Sequence, residues 1–492
     1  MNIQFMNNHE IAEEIKTART AQTLWESTPL VERLRKVKLF RHLLVEHKHK
    51  ISQALFLDSG KPLEECLGAE LLPLAEACKF LERNAIKILK ERKVLGRDTP
   101  LWMFFQKSVV HRKARGIIGI LGTWNYPLVL NGVQIIQALV AGNAVCWKPS
   151  ENAIETSKVL VELLLSAGFS SALLKILSPT RENGPLLIEA NIDFLIMTGS
   201  VTTGKAVAKK LAEKLIPSTL ELSGIDSLIL LEDGNIDLAV RAAWFASNLN
   251  AGQTCMASRR FFVPETLVAK VEEKLVELAQ EYKPRKILLE SQANAVLPFI
   301  DNALNNGAKL LWPNNRSKIF SASFFDSCIV SNVNNQMQLC QEAIFAPVLT
   351  VISYKTLNEA IQLSNDSAFG LCASLFTANI KLGKEIALQL KVGSVAINDV
   401  IIPHAHPATP FGGIGLSGWG VTQGEEGLLE MTRPLTVSTV SGGFRPHYDL
   451  PTPKAANSIP VLEGMLEALH SGSFIGKIRG WLKIVTSGKS KK

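Results

Sequence analysis

The sequence lacks the cysteine spacing and the amino-terminal pattern that mark secreted or zinc-binding proteins. Its seven cysteines, at positions 66, 78, 146, 255, 328, 340 and 372, are not spaced closely or regularly enough for a disulfide framework or a zinc site. A reducing compartment is therefore expected, and no metal is predicted. The first ten residues contain no basic stretch followed by an apolar one, so no secretory signal is expected and the predicted location is the cytoplasm.

Acidic residues are missing from the last 22 positions, and this absence accounts for the basic composition. The net charge is +8, and the six basic residues of this segment leave a net charge of +2 for the rest of the chain. A nucleic-acid surface needs basic residues spread over a folded face. Nucleic acid is therefore not a predicted partner.

Charge of either sign is missing from residues 116–147, a run of 32 residues. Glycine, proline, asparagine and glutamine interrupt this run, so it predicts a strand at 116–121, a helix at 128–140 and a strand at 144–148 rather than a membrane span. Uncharged, continuously apolar strands are typical of a parallel sheet that is covered on both faces.

Apolar periodicity indicates the elements on either side of this run. Residues 9–95 predict helices, with Ile11, Ile15, Ala18 and Leu24 on one apolar stripe. The alternation after residue 148 predicts a doubly wound α/β domain, which binds ligands at the carboxyl ends of its strands, and a second α/β unit follows. The predicted strands are 173–177, 192–197, 218–222, 227–231 and 260–263, and the predicted helices are 156–167, 203–214, 237–250 and 265–281.

Cys255 lies on a turn with the sequence NAGQTC (250–255), between a predicted helix and a predicted strand. A thiol acts as a nucleophile in its thiolate form, which favours partial exposure and nearby dipoles or bases. The end of a helix or loop supplies these conditions more readily than a core position does. The alternative is a buried structural cysteine, since free cysteine is among the most buried residue types.

Further motifs decide between these two interpretations. They are GTWNYP at 122–127, TLELSG at 219–224, EAIFAPV at 342–348, GSVAIN at 393–398 and PFGGIGLSG at 410–418. Together with NAGQTC, and in this order, they resemble the aldehyde dehydrogenase superfamily over about residues 10–447. The WNYP wording is most similar to the class 3 and fatty-aldehyde branch.

The resemblance implies an aldehyde dehydrogenase-like α/β fold with three parts. These are a dinucleotide-binding domain at 1–107 and 116–222 that includes the N-terminal helices, a catalytic α/β domain at 223–420, and a small β element for bridging and oligomerisation at 108–115 and 435–447. It also implies a homodimer, which we expect to pair through residues 436–440.

The same resemblance implies NAD(P)-dependent oxidation of an aldehyde, of medium or long chain in this branch, to its carboxylic acid. Cys255 would attack the carbonyl carbon to form a thiohemiacetal, whose oxyanion is held by the Asn125 side-chain amide and the Cys255 backbone N–H. Hydride transfer leaves a thioester. Glu221 would then deprotonate the water that hydrolyses this thioester.

A dinucleotide, NAD or NADP, is the implied cofactor. TGSVTTG at 198–204 offers backbone amides to a pyrophosphate, although a plain strand-to-helix turn is the alternative interpretation. KPSE at 148–151 resembles a family segment whose lysine binds the adenosine ribose. The alternative interpretation is a solvated lysine at the end of a strand. The implied cofactor-binding residues are Trp124, Lys148, Ser150, Gly199, Ser200, Gly204, Leu222, Ser223 and Phe345.

Two departures from the family pattern keep other functions open. ELSGI at 221–225 replaces the family's Glu-Leu-Gly-Gly-Lys, which adds the Ser223 side chain near the expected nicotinamide. Ala343 replaces a glutamate that holds the nicotinamide ribose in relatives, and Glu342, one place earlier, would point elsewhere. The alternatives are an acyl-thioester reductase that makes an aldehyde, and a non-catalytic binding protein with the same fold.

Residues 448–492 are predicted to form a basic, amphipathic C-terminal tail. Its apolar side chains recur at helical spacing, and about a dozen residues are too few to span a bilayer. The tail could lie in the interface of an anionic membrane, or pack as an arm on the body or on a partner subunit. The apolar stripe consists of Phe474, Ile475, Ile478, Trp481, Leu482 and Val485.

Overall fold

The computed structural model describes residues 11–489 apart from 95, 104, 322, 443–447, 449–451, 453–455 and 457, with residues 97, 488 and 489 described by their backbone alone. The chain forms two compact units. The first contains the described residues up to Glu91 and from His111 to Leu435, and the second contains Arg92–Val110 and the described residues from Thr436 onward.

Consecutive helices open the first unit, as the apolar periodicity predicted. Ile11, Ile15 and Ala18 are buried, but Leu24 is 70% exposed and Trp25 is buried instead. Trp25 lies seven residues, or two helical turns, after Ala18, so the prediction for Leu24 was wrong by one position. The helical segments are Ile11–Ser27, Leu30–Glu46, Lys48–Ser59, Leu63–Glu65, the π-helical turn Cys66–Leu71, and Leu72–Ile88.

A six-stranded sheet follows the helices and contains the uncharged run. Its strands, in order across the sheet, are Gly418–Trp419, Ser218–Glu221, Phe194–Thr198, Ile117–Leu121, Ala144–Lys148 and Leu174–Ile176. All neighbours are parallel except Gly418–Trp419, which pairs antiparallel with Ser218–Glu221. Its helices are Val129–Val140, Ile154–Ser166, Asn183–Glu189 and Val201–Glu213. The predicted strand and helix order is confirmed.

The strand order reverses beside Ile117–Leu121. The chain continues from this strand to Ala144–Lys148 on one side, and later returns to add Phe194–Thr198 on the other. Such a reversal opens a crevice at the carboxyl ends of the strands, where doubly wound folds bind ligands.

A second large sheet, with seven strands, also belongs to the first unit. Its order is Lys309–Trp312, Cys328–Ser331, Val348–Tyr354, Ser258–Pro264, Asp226–Leu230, Cys372–Phe376 and Ser394–Ile397. Only Lys309–Trp312 is antiparallel to its neighbour among these strands. The accompanying helices are Ile236–Asn248, Val268–Gln280, Glu290–Asn305, Gln338–Gln341, Leu357–Asn365 and Ile380–Ala387. The later helix Gly424–Glu430 packs instead against Leu72–Ile88 and Val129–Val140.

Short elements complete the first unit. The 3₁₀ turns are Leu249–Gly252, Glu265–Leu267, Arg316–Lys318 and Ile402–Ala405. The short strands are Arg285–Lys286, Phe320–Ser321, Phe324–Phe325, Phe369–Gly370 and Ile414–Gly415. The two large sheets divide between Glu221 and Asp226, close to the predicted boundary at 222. Gly418–Trp419, predicted within the second domain, instead extends the first sheet.

The second unit contains a three-stranded sheet in the order Arg92–Val94, Gln106–Ala114 and Thr432–Val440, and the chain crosses between the units within the two longer strands. The sequence placed residues 92–94 among the helices and missed this strand. Gly96–Asp98 and Leu101–Met103 are short 3₁₀ turns. Residues 443–447 of the predicted oligomerisation element lie outside the described residues.

The tail forms a hairpin of two helices, Ile459–His470 and Phe474–Lys489. The predicted helix is confirmed, and the helix before it was not foreseen. The helices approach closely because they meet at small residues: a Cβ on Gly480 would lie 2.2 Å from the backbone nitrogen of Ala468. None of the described helices is long and apolar enough to cross a membrane.

Candidate active site

A polar cleft of about 130 Å³ opens where the strand order of the six-stranded sheet reverses. Thr123, Trp124 and Asn125 line it from the segment after Ile117–Leu121, and Thr198, Gly199 and Ser200 line it from the end of Phe194–Thr198 and the residues that follow. The other lining residues are Glu221, Leu222, Ser223, Cys255, Gln292, Ala343 and Phe345. The cleft therefore lies where a doubly wound sheet binds a dinucleotide.

Most of the predicted cofactor residues meet in this cleft. Trp124 and Phe345 face each other there with ring centroids 6.0 Å apart. Ser200 caps the helix Val201–Glu213 by accepting a hydrogen bond from the Thr203 backbone N–H at 3.3 Å. Gly199, Leu222 and Ser223 also line the cleft.

Lys148, Ser150 and Gly204 are not among the residues that line it. Lys148 is buried at the end of the neighbouring strand, 3.4 Å from Glu151, and burial lowers its pKa against the opposing effect of that carboxylate. Ser150 accepts a hydrogen bond from the Asn152 backbone. A Cβ on Gly204 would lie 2.7 Å from the Leu222 side chain, so this glycine allows the helix to pack against the cleft wall.

The turn before Cys255 has an unusual backbone. Asn250, Ala251 and Gly252 have φ angles of 54°, 55° and 71° in succession. At Gly252 no other residue fits, because a Cβ would lie 2.3–2.5 Å from the peptide that joins Ala346 to Pro347. The turn that precedes Cys255 therefore packs closely against the segment that carries Phe345.

A buried arginine joins these two segments. Arg259 is 1% exposed, and its guanidinium donates to the Gly252 carbonyl and, at 2.6 Å, to the Ala346 carbonyl. Burial lowers the pKa of Arg259 to about 10, which leaves it charged at neutral pH. No sequence pattern predicted that this arginine points inward.

Glu221 lies beside the thiol, as the motifs implied. It is 3% exposed, and the Cys255 thiol and the Thr198 hydroxyl lie close to it. Burial raises the pKa of Glu221 to about 7, while these two neighbouring groups oppose the rise. The Oε1 atom of Glu221 has no hydrogen-bond partner among the described residues. Such a carboxylate is poised to accept a proton near neutral pH.

The expected partial exposure and easy ionisation of Cys255 are not observed. Its side chain is buried, at 8% exposure, and burial raises its pKa well above the ordinary value, with the Glu221 charge adding to the effect. The six other cysteines are also buried free thiols, so burial does not set Cys255 apart. What sets it apart among the described cysteines is that it lines both cavities.

Asn125 is held at both its side chain and its backbone. Its Nδ2 donates to the Gln253 carbonyl at 3.1 Å, and its Oδ1 accepts from the Thr123 hydroxyl at 2.7 Å. Its own carbonyl accepts from the Asn250 side chain at 2.9 Å and from Lys61 at 2.5 Å. The amide is thereby fixed in the polar cleft that Cys255 also lines.

A second, apolar cavity of about 310 Å³ also reaches Cys255. Its wall includes Val129, Val133, Phe245, Met256 and Phe411. Among the lining residues that the structure describes, none is lysine, arginine or histidine, and the acidic ones are Glu64 and Glu65. Cys255 thus separates a polar cleft from an apolar cavity.

Three residues near the site were missed. Tyr126 lies within the GTWNYP motif, and its hydroxyl hydrogen-bonds with that of Thr254 at 2.7 Å. Gln292 lines the polar cleft from a helix that no motif marks. Asp226 is 3% exposed and accepts from the Cys372 backbone N–H at 3.0 Å, and only the strand-like pattern around it was visible in the sequence.

The two departures from the family pattern lie in the polar cleft. Ser223 and Ala343 both line it, whereas Glu342 is exposed and is not among its lining residues. A Cβ on Gly224 would lie 2.8 Å from the Cys255 carbonyl, so the glycine that this motif retains is required for close packing.

Comparison with known proteins places the chain in a family. The sequence profile of the "Aldehyde dehydrogenase family" matches residues 1–437. A 4,4'-diapolycopene aldehyde oxidase of Methylomonas sp is 30% identical over 434 residues, which cover 87% of this chain and 81% of that protein. An aldehyde dehydrogenase of Mycobacterium tuberculosis, solved with NAD+, is similar with a TM-score of 0.82 and 27% identity, over 90% of this chain and 92% of that one.

A third relative is the NADP-dependent glyceraldehyde-3-phosphate dehydrogenase from Bacillus halodurans C-125, solved with NADP. It has a TM-score of 0.83 and 29% identity, and the match covers 89% of this chain and 93% of that one. The chain therefore belongs to the aldehyde dehydrogenase family. It is an NAD(P)-dependent oxidoreductase that converts an aldehyde to a carboxylic acid, and the predicted fold, activity and cofactor are confirmed.

Proposed function

We propose that this enzyme oxidises apolar aldehydes of medium or long chain, as the class 3 and fatty-aldehyde branch of the family does, with Cys255 as nucleophile, Glu221 as general base and Asn125 as oxyanion donor. The observation that carries the proposal is the position of Cys255, which lies between a polar cleft and an apolar cavity and beside the carboxylate of Glu221.

The first step is attack of the Cys255 sulfur on the aldehyde carbon. Because burial keeps the thiol protonated, a base must take its proton as the carbon–sulfur bond forms. Glu221 lies beside the thiol, and its pKa of about 7 leaves a large ionised fraction at neutral pH. The carbonyl π electrons move to oxygen, and the product is a thiohemiacetal.

The oxyanion of this thiohemiacetal needs a hydrogen-bond donor that is already in place. The Asn125 amide, fixed by its contacts with Thr123 and Gln253, supplies such a donor in the cleft. A single oxyanion donor contributes about 3 kcal/mol of transition-state stabilisation. We assign the Cys255 backbone N–H as the second donor.

The polar cleft fits a dinucleotide: it lies at the sheet reversal, the helix Val201–Glu213 begins there, and Trp124 and Phe345 supply apolar faces. A dinucleotide held by these residues would supply the hydride acceptor for the oxidation. Glu221 must then release its first proton before it can deprotonate the water that hydrolyses the thioester. A pKa near 7 suits a group that both takes and releases protons at neutral pH.

The test is a stopped-flow burst of reduced cofactor with propanal, dodecanal and benzaldehyde, with NAD and with NADP. We expect a burst with dodecanal that Cys255→Ala abolishes. Glu221→Gln should slow both the burst and the hydrolysis of any thioester that forms, because it removes the base for both steps, and acyl-CoA reduction by this variant would point to the reverse, acyl-reducing activity instead. No burst with any of the three aldehydes would refute the proposal.

The apolar cavity supports the substrate class. Its described lining offers no cation to a carboxylate or a phosphate, and Glu64 would repel one, whereas Glu65 is paired with Arg285. The phosphorylated substrate named for the Bacillus halodurans relative therefore does not suit this cavity. An alkyl chain gains about 0.8 kcal/mol for each methylene that it buries there.

Gly68 offers a direct test of chain length. It lines the cavity, and a Cβ at this position meets nothing within 4 Å. Gly68→Phe should therefore fill cavity space without disturbing the core, and lower kcat/KM for dodecanal at least tenfold while sparing propanal. Gly96→Phe is the matched control, because a Cβ on Gly96 also meets no described atom within 4 Å and Gly96 does not line the cavity. Equal losses for both aldehydes would contradict the assignment.

The C-terminal hairpin supports peripheral binding to an anionic membrane by a cytoplasmic enzyme. The side chains of the predicted apolar stripe are 46–78% exposed, and Lys477 and Arg479 lie on the same helix. We expect Leu482→Glu to reduce sedimentation of the protein with vesicles that contain phosphatidylserine. Leu388→Glu, a change at a leucine that is 90% exposed in the first unit, should have no effect. Equal sedimentation of the wild type, Leu482→Glu and Leu388→Glu would exclude this role.

The strand Thr432–Val440 supports the homodimer. It lies at an edge of its sheet, and Leu435, Val437 and Val440 are 40–46% exposed. Exposed apolar edge strands pair readily with a second copy. Val437→Lys should shift sedimentation equilibrium towards the monomer, and a wild-type protein that is monomeric at micromolar concentration would rule out this interface.

A further inference from the structure

A buried ion pair lies among the N-terminal helices, in a region without motifs. Lys61 is 1% exposed and Glu70 is not exposed at all, and the lysine ammonium donates to the carboxylate. Burying two charges costs several kcal/mol for each, and apolar replacements of such pairs often stabilise proteins. Stability alone therefore does not explain why this pair is present.

The charged groups of Lys61 and Glu70 also contact one segment, residues 125–129. Lys61 Nζ donates to the Asn125 carbonyl at 2.5 Å and lies 4.2 Å from the ring centroid of Tyr126. Glu70 Oε2 accepts from the backbone N–H groups of Leu128 at 3.1 Å and Val129 at 2.9 Å, where the helix Val129–Val140 begins. The pair thus holds both ends of residues 125–129.

The backbone around Glu70 is itself unusual. Cys66–Leu71 is a π-helical turn, and such turns are frequently found at functional sites. Glu65, just before this turn, accepts a hydrogen bond from the Asn250 backbone N–H at 3.2 Å, and the Asn250 side chain donates to the same Asn125 carbonyl. The N-terminal helices therefore contact both the asparagine segment and the cysteine turn.

We propose that Lys61 and Glu70 are positioning residues that fix the Asn125 backbone, so that its side-chain amide stands ready for the oxyanion. This inference rests on the role proposed above for Asn125. Only two rotatable bonds separate the Asn125 backbone from its Nδ2, so a shift of the backbone displaces the donor directly. A displacement of about 1 Å can cost on the order of a hundredfold in rate.

The test removes both charges together, in Lys61→Met/Glu70→Met, because a single change would leave an unpaired buried charge and risk misfolding. We expect the double variant to fold, with kcat reduced at least tenfold and the dissociation constant for the dinucleotide unchanged. Lys50→Met/Glu162→Met removes a lysine–glutamate pair that is 46% and 38% exposed, and should leave kcat unchanged.

A purely structural role is excluded by repeating the change in an Asn125→Ala background. If the pair acts through Asn125, its removal there should change kcat less than twofold. An equal loss in both backgrounds, or an unchanged kcat in the wild-type background, would overturn the proposal.

Amide hydrogen exchange gives a readout that does not depend on turnover. Exchange in residues 125–129 should accelerate in the Lys61→Met/Glu70→Met variant, and unchanged exchange there would also overturn the proposal. A wild-type enzyme without an aldehyde burst would instead refute the proposed function, so the two failures are distinguishable.

Discussion

Replacing Glu221 by glutamine should stabilise the folded protein and, at the same time, inactivate the enzyme. The wild-type carboxyl is 3% exposed, its pKa is raised to about 7 by burial, and its Oε1 lacks a partner among the described residues. A glutamine has a similar shape and can still lie beside the Cys255 thiol and the Thr198 hydroxyl. It removes the cost of a buried negative charge but also removes the base.

The magnitude follows from the difference between the pKa of Glu221 in the folded and unfolded chain. A rise from 4.5 to about 7 corresponds to about 3 kcal/mol of destabilisation by the ionised form. Because the folded state binds the proton more tightly, this penalty is absent well below pH 4.5, grows as pH rises, and is complete above about pH 7. The stability gain of Glu221→Gln should therefore be about 3 kcal/mol at about pH 8 and less than about 1 kcal/mol at about pH 5.

The assay compares the free energies of unfolding of the variant and the wild type in urea at both pH values. Groups that titrate equally in the two proteins cancel in the difference. A difference that does not grow with pH would show that the carboxyl is not desolvated, and the reasoning about Glu221 would fail. The pH dependence of kcat gives a second check: the wild-type rate should rise through about pH 7, and this inflection should be absent from the residual rate of the variant.

Three further changes test other parts of the site. Gly252→Ala should lower the free energy of unfolding by more than about 2 kcal/mol, because it combines a left-handed backbone with a clash, whereas Gly442→Ala, with a φ of 75° and no atom of a described residue within 4 Å, should cost about 1 kcal/mol in a urea titration. Trp124→Ala should weaken dinucleotide binding about tenfold in calorimetry, because it removes the ring that faces Phe345 in the cleft. Lys148→Met should raise the KM for NADP more than that for NAD in steady-state assays if this ammonium pairs with a 2'-phosphate. Equal effects on the two cofactors would remove that role.

The parts that the sequence predicted are those that repeat a local pattern. The uncharged strand at 144–148 and the helix at 128–140 were visible because apolar periodicity reports burial directly. Cys255, Glu221 and Asn125 were recognised from motifs in their order. The strand Arg92–Val94 was missed because it depends on a distant partner, Gln106–Ala114, which no local pattern reveals.

The ionisation states of the site residues could not be predicted from the sequence either. The burial of Cys255 depends on residues far apart in the chain, including Leu371 and Phe411, which pack against it. The inward direction of Arg259, like the contacts of Lys61, depends on the same tertiary packing. Spacing along the chain identifies which side chains react, but only packing determines how strongly each one holds its proton.

Burial raises the pKa of both groups that exchange the proton, which makes the Cys255 thiol harder to ionise and the Glu221 carboxylate a better base. These two effects determine how the reaction must begin. Burial raises the pKa of Cys255 well above its ordinary value and that of Glu221 only to about 7, so complete proton transfer before attack is unfavourable. The proton should therefore move as the carbon–sulfur bond forms, when the charge passes to an oxyanion beside Asn125. The burst phase with dodecanal should then be slower in D₂O, by about twofold to threefold. A burst with no solvent isotope effect, under conditions in which hydride transfer is not limiting, would mean that Cys255 is already a thiolate in the resting enzyme.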